Sequence, residues 1–170
     1  MREGGRLEKA IKKFRKLLQV KPDSVKGHFN IGVAYHSKGQ NEEAFTEFRR
    51  TVELDPKHVE AWCRLGIIFD SCSMFAEAIE AYRRALAARP DAPQLWNILG
   101  NSYKYLGMAH RAIECYREAQ RFAPLDWEPF SNELMTMLVS PDITPQEIHA
   151  AHCRWAALQA DHLLELSPPH

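Results

Sequence analysis

Apolar positions along this chain return at helical intervals, and the pattern as a whole returns every 34 residues. In residues 59–92 an apolar set at Trp62, Leu65 and Phe69 is followed by a second at Ala78, Ile79, Tyr82 and Leu86, with a polar break near Ser73 between them. Spacings of three and four put each set on one helical face, so the window predicts two amphipathic helices that face one another. Windows 25–58 and 93–126 carry the same skeleton. His28, Trp62 and Trp96 fall in register, as do Ile31, Leu65 and Leu99, then Gly32, Gly66 and Gly100, then Tyr35, Phe69 and Tyr103. The second half repeats through Ala44, Ala78 and Ala112, then Phe48, Tyr82 and Tyr116, and closes on Pro56, Pro90 and Pro124.

Each recurrence has a physical reading. A glycine inside a helix costs up to about 1 kcal/mol against alanine, so its return in the first helix of every window calls for close backbone approach. The alanines remove bulk from the opposing helix. The prolines stop the second helix, because proline lacks the amide and clashes with the preceding turn. A pair of this kind cannot bury its apolar face alone and is stabilised by its neighbours. Large, small and breaker positions recurring together at this period resemble the tetratricopeptide repeat. The resemblance implies an all-α fold, a right-handed superhelical solenoid of antiparallel helix pairs, whose usual work is to hold another protein.

The ends depart from the period. Residues 1–24 align with the second helix of a repeat, with Ala10, Phe14, Leu17 and Pro22 in place and the first helix missing, so Leu7, Ile11, Phe14 and Leu18 are expected to lack part of their cover. Such an apolar face marks an interface, or a chain cut from a longer array. After the repeats at 25–58, 59–92 and 93–126, residues 127–170 read as a degenerate helix followed by a long capping helix. Thr144 suits the N-cap, Pro145 the first helical position and Glu147 the acid of a capping box, which predicts a helix over about 145–166. Ile148, Ala151, Trp155, Leu158 and Leu163 give it an apolar stripe.

Segment 131–155 is also similar to the junction between repeats and catalytic domain in bacterial SPINDLY-type proteins, relatives of the O-linked N-acetylglucosamine transferases. Ser131-Asn132, Pro141-Asp142, Thr144-Pro145-Gln146-Glu147-Ile148, His152 and Trp155 carry the likeness. It implies a substrate-selecting arm of a protein glycosyltransferase without the nucleotide-sugar domain, hence no catalytic residue on this chain.

Where the resemblance to the tetratricopeptide repeat holds, the first helix of each pair lines the concave groove. Spacings of four and three then select Phe29, Val33 and His36, Cys63, Ile67 and Asp70, and Asn97, Asn101 and Lys104. Phe29, Val33, Cys63 and Ile67 suit aliphatic side chains, while the amides of Asn97 and Asn101 suit an extended peptide backbone. The carboxylate clamp of the chaperone-binding members is not expected, since its positions hold Phe29, Val33, Arg64, Gln94 and Ile98. Of the asparagine ladder of the transferase relatives, Asn30 and Asn101 remain, and Arg64 and Ile98 interrupt it.

Charge and chemistry narrow the classes. Lys plus Arg equal Asp plus Glu at 22 each, which argues against nucleic acid as partner. No apolar run reaches membrane-spanning length and no signal core is present, so a cytoplasmic location without membrane insertion is expected. The balance is uneven: residues 1–24 hold eight Lys and Arg against three acids, while residues 127–170 hold Arg154 against six. That polarity suits head-to-tail self-association of copies through their terminal helices as an alternative to a peptide partner. Cys63, Cys72, Cys115 and Cys153 lack paired metal-ligand spacing and fit a reducing compartment. His149 and Cys153 have the i, i+4 spacing of a metal pair but no second ligand cluster. With no glycine-rich phosphate loop or evident nucleophile and base, the sequence reads as a non-enzyme without cofactors.

Overall fold

The computed structural model describes residues 2–165, and the side chains of residues 6–160; Leu163, expected on the last apolar stripe, falls outside the described side chains. Within these residues every regular element is a helix. The chain divides into two compact units, Met1–Pro90 and Asp91–His170.

The first unit holds α1 (Arg2–Val20), α2 (Val25–Ser37), α3 (Asn41–Leu54), α4 (Val59–Ser71) and α5 (Phe75–Ala88). Three-residue turns fold α2 back on α3 and α4 back on α5. The chain reverses through left-handed backbone at Gly39, φ 74°, and at Ser73, φ 59°. At the helix starts the Ser24 hydroxyl accepts from the Gly27 amide at 3.2 Å, and His58 Nδ1 accepts from the Ala61 amide at 3.2 Å. These contacts satisfy amides that the first turn leaves without helical partners.

The core of this unit runs through Ile31, Ala34 and Tyr35 on α2, Ala44, Phe48 and Val52 on α3, Ala61, Leu65 and Ile68 on α4, and Ala81 on α5. A Cβ built on Gly32 would come within 3 Å of the Phe48 ring, and one on Gly66 would meet Tyr82 in the same way. The recurrent glycine is therefore the place where an aromatic ring of the second helix rests on the backbone of the first. His28 takes over the place of Trp62: its Nε2 lies 2.8 Å from the Pro22 carbonyl, as the Trp62 indole donates to the Pro56 carbonyl at 2.9 Å. His28 Nδ1 adds a contact to Glu47 at 2.6 Å.

Of the four apolar residues of α1 expected to lack part of their cover, one is buried and three are half-buried. Ile11 is 5% exposed, and Leu7, Phe14 and Leu18 pack partly buried against the core. α1 packs against α2, and Arg15 donates to the Tyr35 hydroxyl.

The second unit holds α6 (Pro93–Tyr105), α7 (Ala109–Phe122), α8 (Trp127–Val139) and α9 (Pro145–Glu165). Here α6 pairs with α7 through a turn at Gly107, φ 72°, and Tyr116 rests on Gly100 as Tyr82 does on Gly66. The expected capping box is formed: the Thr144 amide donates to Glu147 at 2.8 Å and the Glu147 amide donates to the Thr144 hydroxyl at 3.3 Å. The backbone and hydroxyl of Thr144 hold the Glu147 carboxyl below its ordinary range.

A buried carboxylate joins three helices of this unit. Glu133 on α8 is fully buried and accepts from Arg117 at 2.7 Å and Gln120 at 2.8 Å, both on α7, and from Arg154 on α9 at 2.8 Å. Ala151 packs with Ile113 and Met137, and the Trp155 indole stacks on Phe130 with centroids 4.7 Å apart. Leu158, expected on the same stripe, is 39% exposed. Among the described residues no helix is long and apolar enough to cross a membrane.

Candidate functional site

The residues selected from the sequence lie on the first helix of each pair. On α2, Phe29, Asn30, Val33 and His36 are all half-buried, beside the buried Ile31 and Gly32. On α4, Cys63, Arg64 and Asp70 are half-buried and Ile67 is 37% exposed, beside the buried Leu65 and Gly66. The period of 3.6 accounts for the division on α4, whereas on α2 the selected Phe29 and Val33 border the core and pack partly against it.

Their hydrogen bonds sort them further. Asn30 is occupied locally, its amide donating to the Lys26 carbonyl at 2.7 Å. Phe29 is committed to packing, with ring centroids 5.8 Å from Phe48 and 4.7 Å from His58, so it offers an edge rather than an open pocket. Asp70 accepts from the Tyr82 hydroxyl at 2.9 Å, and burial followed by the Asp70 charge raises the Tyr82 phenol far above its ordinary value. Burial also pushes the Cys63 thiol up to about 11, with the Glu60 carboxylate adding to the effect.

In the second unit one expectation fails. Asn97 is buried at 6% exposure and is used inside the fold: its amide donates to Glu128 at 2.9 Å and its carbonyl accepts from Asn132 at 3.0 Å. It ties α6 to α8, and neither end is free for a peptide backbone. Asn101 is half-buried, with its carbonyl oxygen held by the Tyr116 hydroxyl at 2.9 Å. Burial pushes that phenol up to about 12. Lys104 is half-buried at the end of α6 and borders a cavity.

Two features escaped the reading of the sequence. The tyrosines of the second helices do more than fill space, because their hydroxyls fix Asp70 and Asn101 on the face of the first helix. Phe48, at the same position in α3, has no hydroxyl to do so. The period also extends into α8, where the positions after Asn97, Asn101 and Lys104 are Ser131, Met135 and Leu138. Met135 and Leu138 are 57% and 62% exposed, and Trp127 on the same helix is 66% exposed. Adding one period to the chosen residues would have found them; the loss of glycine and tyrosine in this window concealed it.

His149 and Cys153 approach to 3.5 Å on the exposed side of α9. Among the described residues no group of three or more His, Cys, Asp or Glu side chains is placed to hold a metal ion.

Family models match most of the chain. A model described as TPR repeat matches residues 1–39 and 34–70, and two described as tetratricopeptide repeat match residues 59–92 and 93–124. Among solved structures, one of MamA is 22% identical with a TM-score of 0.80, covering 95% of this chain and 94% of its own. A second MamA structure is 21% identical with a TM-score of 0.81, covering 99% and 91%. Residues 41 to the end of MamA from Desulfovibrio magneticus RS-1 give 17% identity and a TM-score of 0.75 over 96% and 89%. These likenesses define the fold. No sequence among curated proteins matches.

Proposed function

The chain belongs to the tetratricopeptide repeat family, and from that premise we propose that it is a non-catalytic scaffold whose first helices hold a segment of another protein. Repeat proteins of this kind offer surfaces built from successive first helices, which suit extended segments. The observation that carries the reading is the split on α2, α4 and α6. Of the nine residues chosen by spacing, only Asn97 is buried, and Ile67 is 37% exposed although it has no polar reason to stay near water. On α8 the same face adds Met135 and Leu138. The polar members Asp70 and Asn101 are held by tyrosine hydroxyls, so they would meet a partner at little cost in side-chain entropy.

The junction resemblance of segment 131–155 adds no transferase role to this reading. Its marked residues have structural duties: Asn132 bonds Asn97, Thr144 and Glu147 cap α9, and Trp155 stacks on Phe130. Head-to-tail self-association, motivated by the opposite charge of the two ends, is the alternative reading.

Selection of random displayed peptides on the immobilised chain tests the scaffold. Enriched peptides are expected to bind, and Ile67→Glu with Arg64→Glu on α4, or Asn101→Asp on α6, is expected to weaken them with the melting temperature unchanged. Failure to enrich any peptide, or enriched peptides indifferent to all these changes, would refute the reading.

A further inference from the structure

Resting on the scaffold reading and going beyond it, we propose a docking site for an acidic segment of a partner protein in the second unit, at the cleft between the α6–α7 turn and the end of α8. The segment would present a carboxylate side chain next to an aliphatic one. The cleft has a volume of about 550 Å³, a size suited to one or two side chains. Lys104 and Arg111 lie along it, with Met108 on the turn and Val139 and Pro141 at the end of α8. Met108 is 43% exposed and Val139 is 73% exposed, so the apolar part of the lining faces water.

Charge distinguishes this place from the rest of the unit. Residues 91–170 contain five Lys and Arg against ten acids. Three of the five cations are engaged: Arg117 and Arg154 on Glu133, and Arg121 on Glu118. Among the described residues Lys104 and Arg111 form no ion pair; Lys104 lies over the Tyr105 ring at 5.7 Å. The two cations without a carboxylate therefore line one apolar cleft in an otherwise acidic unit. His110 also lines it and contributes to holding the Glu147 carboxyl low. Asp142 is the acid on the lining.

An acidic peptide fits this arrangement better than a nucleic acid does. Two cations provide charge-assisted contacts for one or two carboxylates. A polyanion would need an extended basic track and would meet the acidic remainder of the unit. The site also differs from the nine residues chosen by spacing, of which it includes Lys104 alone. Its acidic preference comes from the turn and the end of α8.

The test uses the whole chain and a fluorescein-labelled peptide of alternating leucine and glutamate, followed by anisotropy. Binding is expected to weaken about tenfold or more in Lys104→Glu with Arg111→Glu, and similarly when glutamine replaces glutamate in the peptide. Val139→Glu is expected to weaken it through the apolar half. Arg111 and Val139 are exposed and Lys104 is half-buried, so an unchanged melting temperature is the check that the variants fold. Binding unaffected by the charge reversals, or matched by a single-stranded DNA of equal charge, would overturn the proposal. Absence of binding while displayed peptides still enrich on the chain would sink this site alone. Absence of both would sink the scaffold reading with it.

Discussion

The ring of Tyr82 lies on the backbone of Gly66, so close that a Cβ at residue 66 would fall within 3 Å of three ring carbons. The ring cannot swing away freely, because its hydroxyl is held by Asp70 at 2.9 Å and the side chain is fully buried. Two effects of Gly66→Ala then oppose each other. Helix propensity favours alanine by about 1 kcal/mol, whereas overpacking a close-packed contact costs about 1–3 kcal/mol. Because the neighbour is pinned at both ends, the upper part of that range applies and a net loss of about 1–2 kcal/mol is expected in urea denaturation. The loss should shrink in a Tyr82→Leu background. A neutral or stabilising Gly66→Ala would show that propensity, not contact, governs this position.

Much of this contact could be read in the sequence before any coordinates, since Gly66 and Tyr82 recur in register with Gly32 and Phe48 and with Gly100 and Tyr116. Repetition exposes steric rules because the same small and large residues must meet in every pair. The faces turned away from the core were legible only as positions. Spacing placed Ile67 and Asn101 on one face each, but it carried no information about hydrogen bonds across helices, so the capture of Asn97 by Glu128 and Asn132 was invisible. Glu133 was equally hidden. A glutamate in a helix is usually a solvent-facing residue, and its burial here depends on Arg117, Gln120 and Arg154, which arrive from two other helices.

Removing the Glu133 charge should destabilise the second unit more than removing any one of its partners. Glu133→Gln leaves two half-exposed arginines converging on a neutral amide and is expected to cost about 1.5–3 kcal/mol, the scale of a hydrogen bond to a charged group. Arg154→Ala leaves Arg117 and Gln120 in place and should cost about 1 kcal/mol. Loss of the Arg154 contact should nonetheless release α9, and limited proteolysis should cut within 145–160 sooner than in the parent chain. Equal costs for the two variants would mean that Glu133 is held by Arg154 alone.

Ser73 occupies the left-handed turn position that Gly39 and Gly107 fill in the neighbouring repeats. A side chain there costs about 1–2 kcal/mol, partly offset by the greater freedom that glycine has in the unfolded chain. Ser73→Gly is therefore expected to stabilise by about 0.5–1 kcal/mol, and Gly107→Ala to destabilise by a similar amount. Thermal melts of the two variants check the pair, and a lower melting temperature for Ser73→Gly would contradict the strain argument.

The capping box at the start of α9 gives a pH dependence of known sign. The Thr144 backbone and hydroxyl depress the Glu147 carboxyl below 4.5 in the folded chain. A depressed acid contributes stability above its unfolded value, and that contribution is lost as pH falls through the folded value. The difference in melting temperature between the parent chain and Glu147→Gln should be full at neutral pH, begin to shrink as pH falls past the unfolded value of about 4.3, and vanish only below the depressed folded value. A difference independent of pH over that interval would assign the effect to packing.

Thiol reactivity provides the last check, because the four cysteines fall into two environments. Cys72 and Cys153 are exposed, whereas Cys63 is half-buried and Cys115 is buried. Burial pushes the Cys63 thiol up to about 11 and the Cys115 thiol up to about 12. The thiolate is the reactive form, so both inner residues are protonated at neutral pH as well as shielded from reagent. Iodoacetamide at about pH 8, followed by peptide mass spectrometry, should label Cys72 and Cys153 first and leave Cys115 for last. Raising the pH towards 10 should still leave Cys63 and Cys115 mostly protonated, and unfolding in urea should bring all four to similar rates. Rapid labelling of Cys115 in the native chain would mean that α7 opens readily from α6 and α8, and the packing described for the second unit would have to be revised.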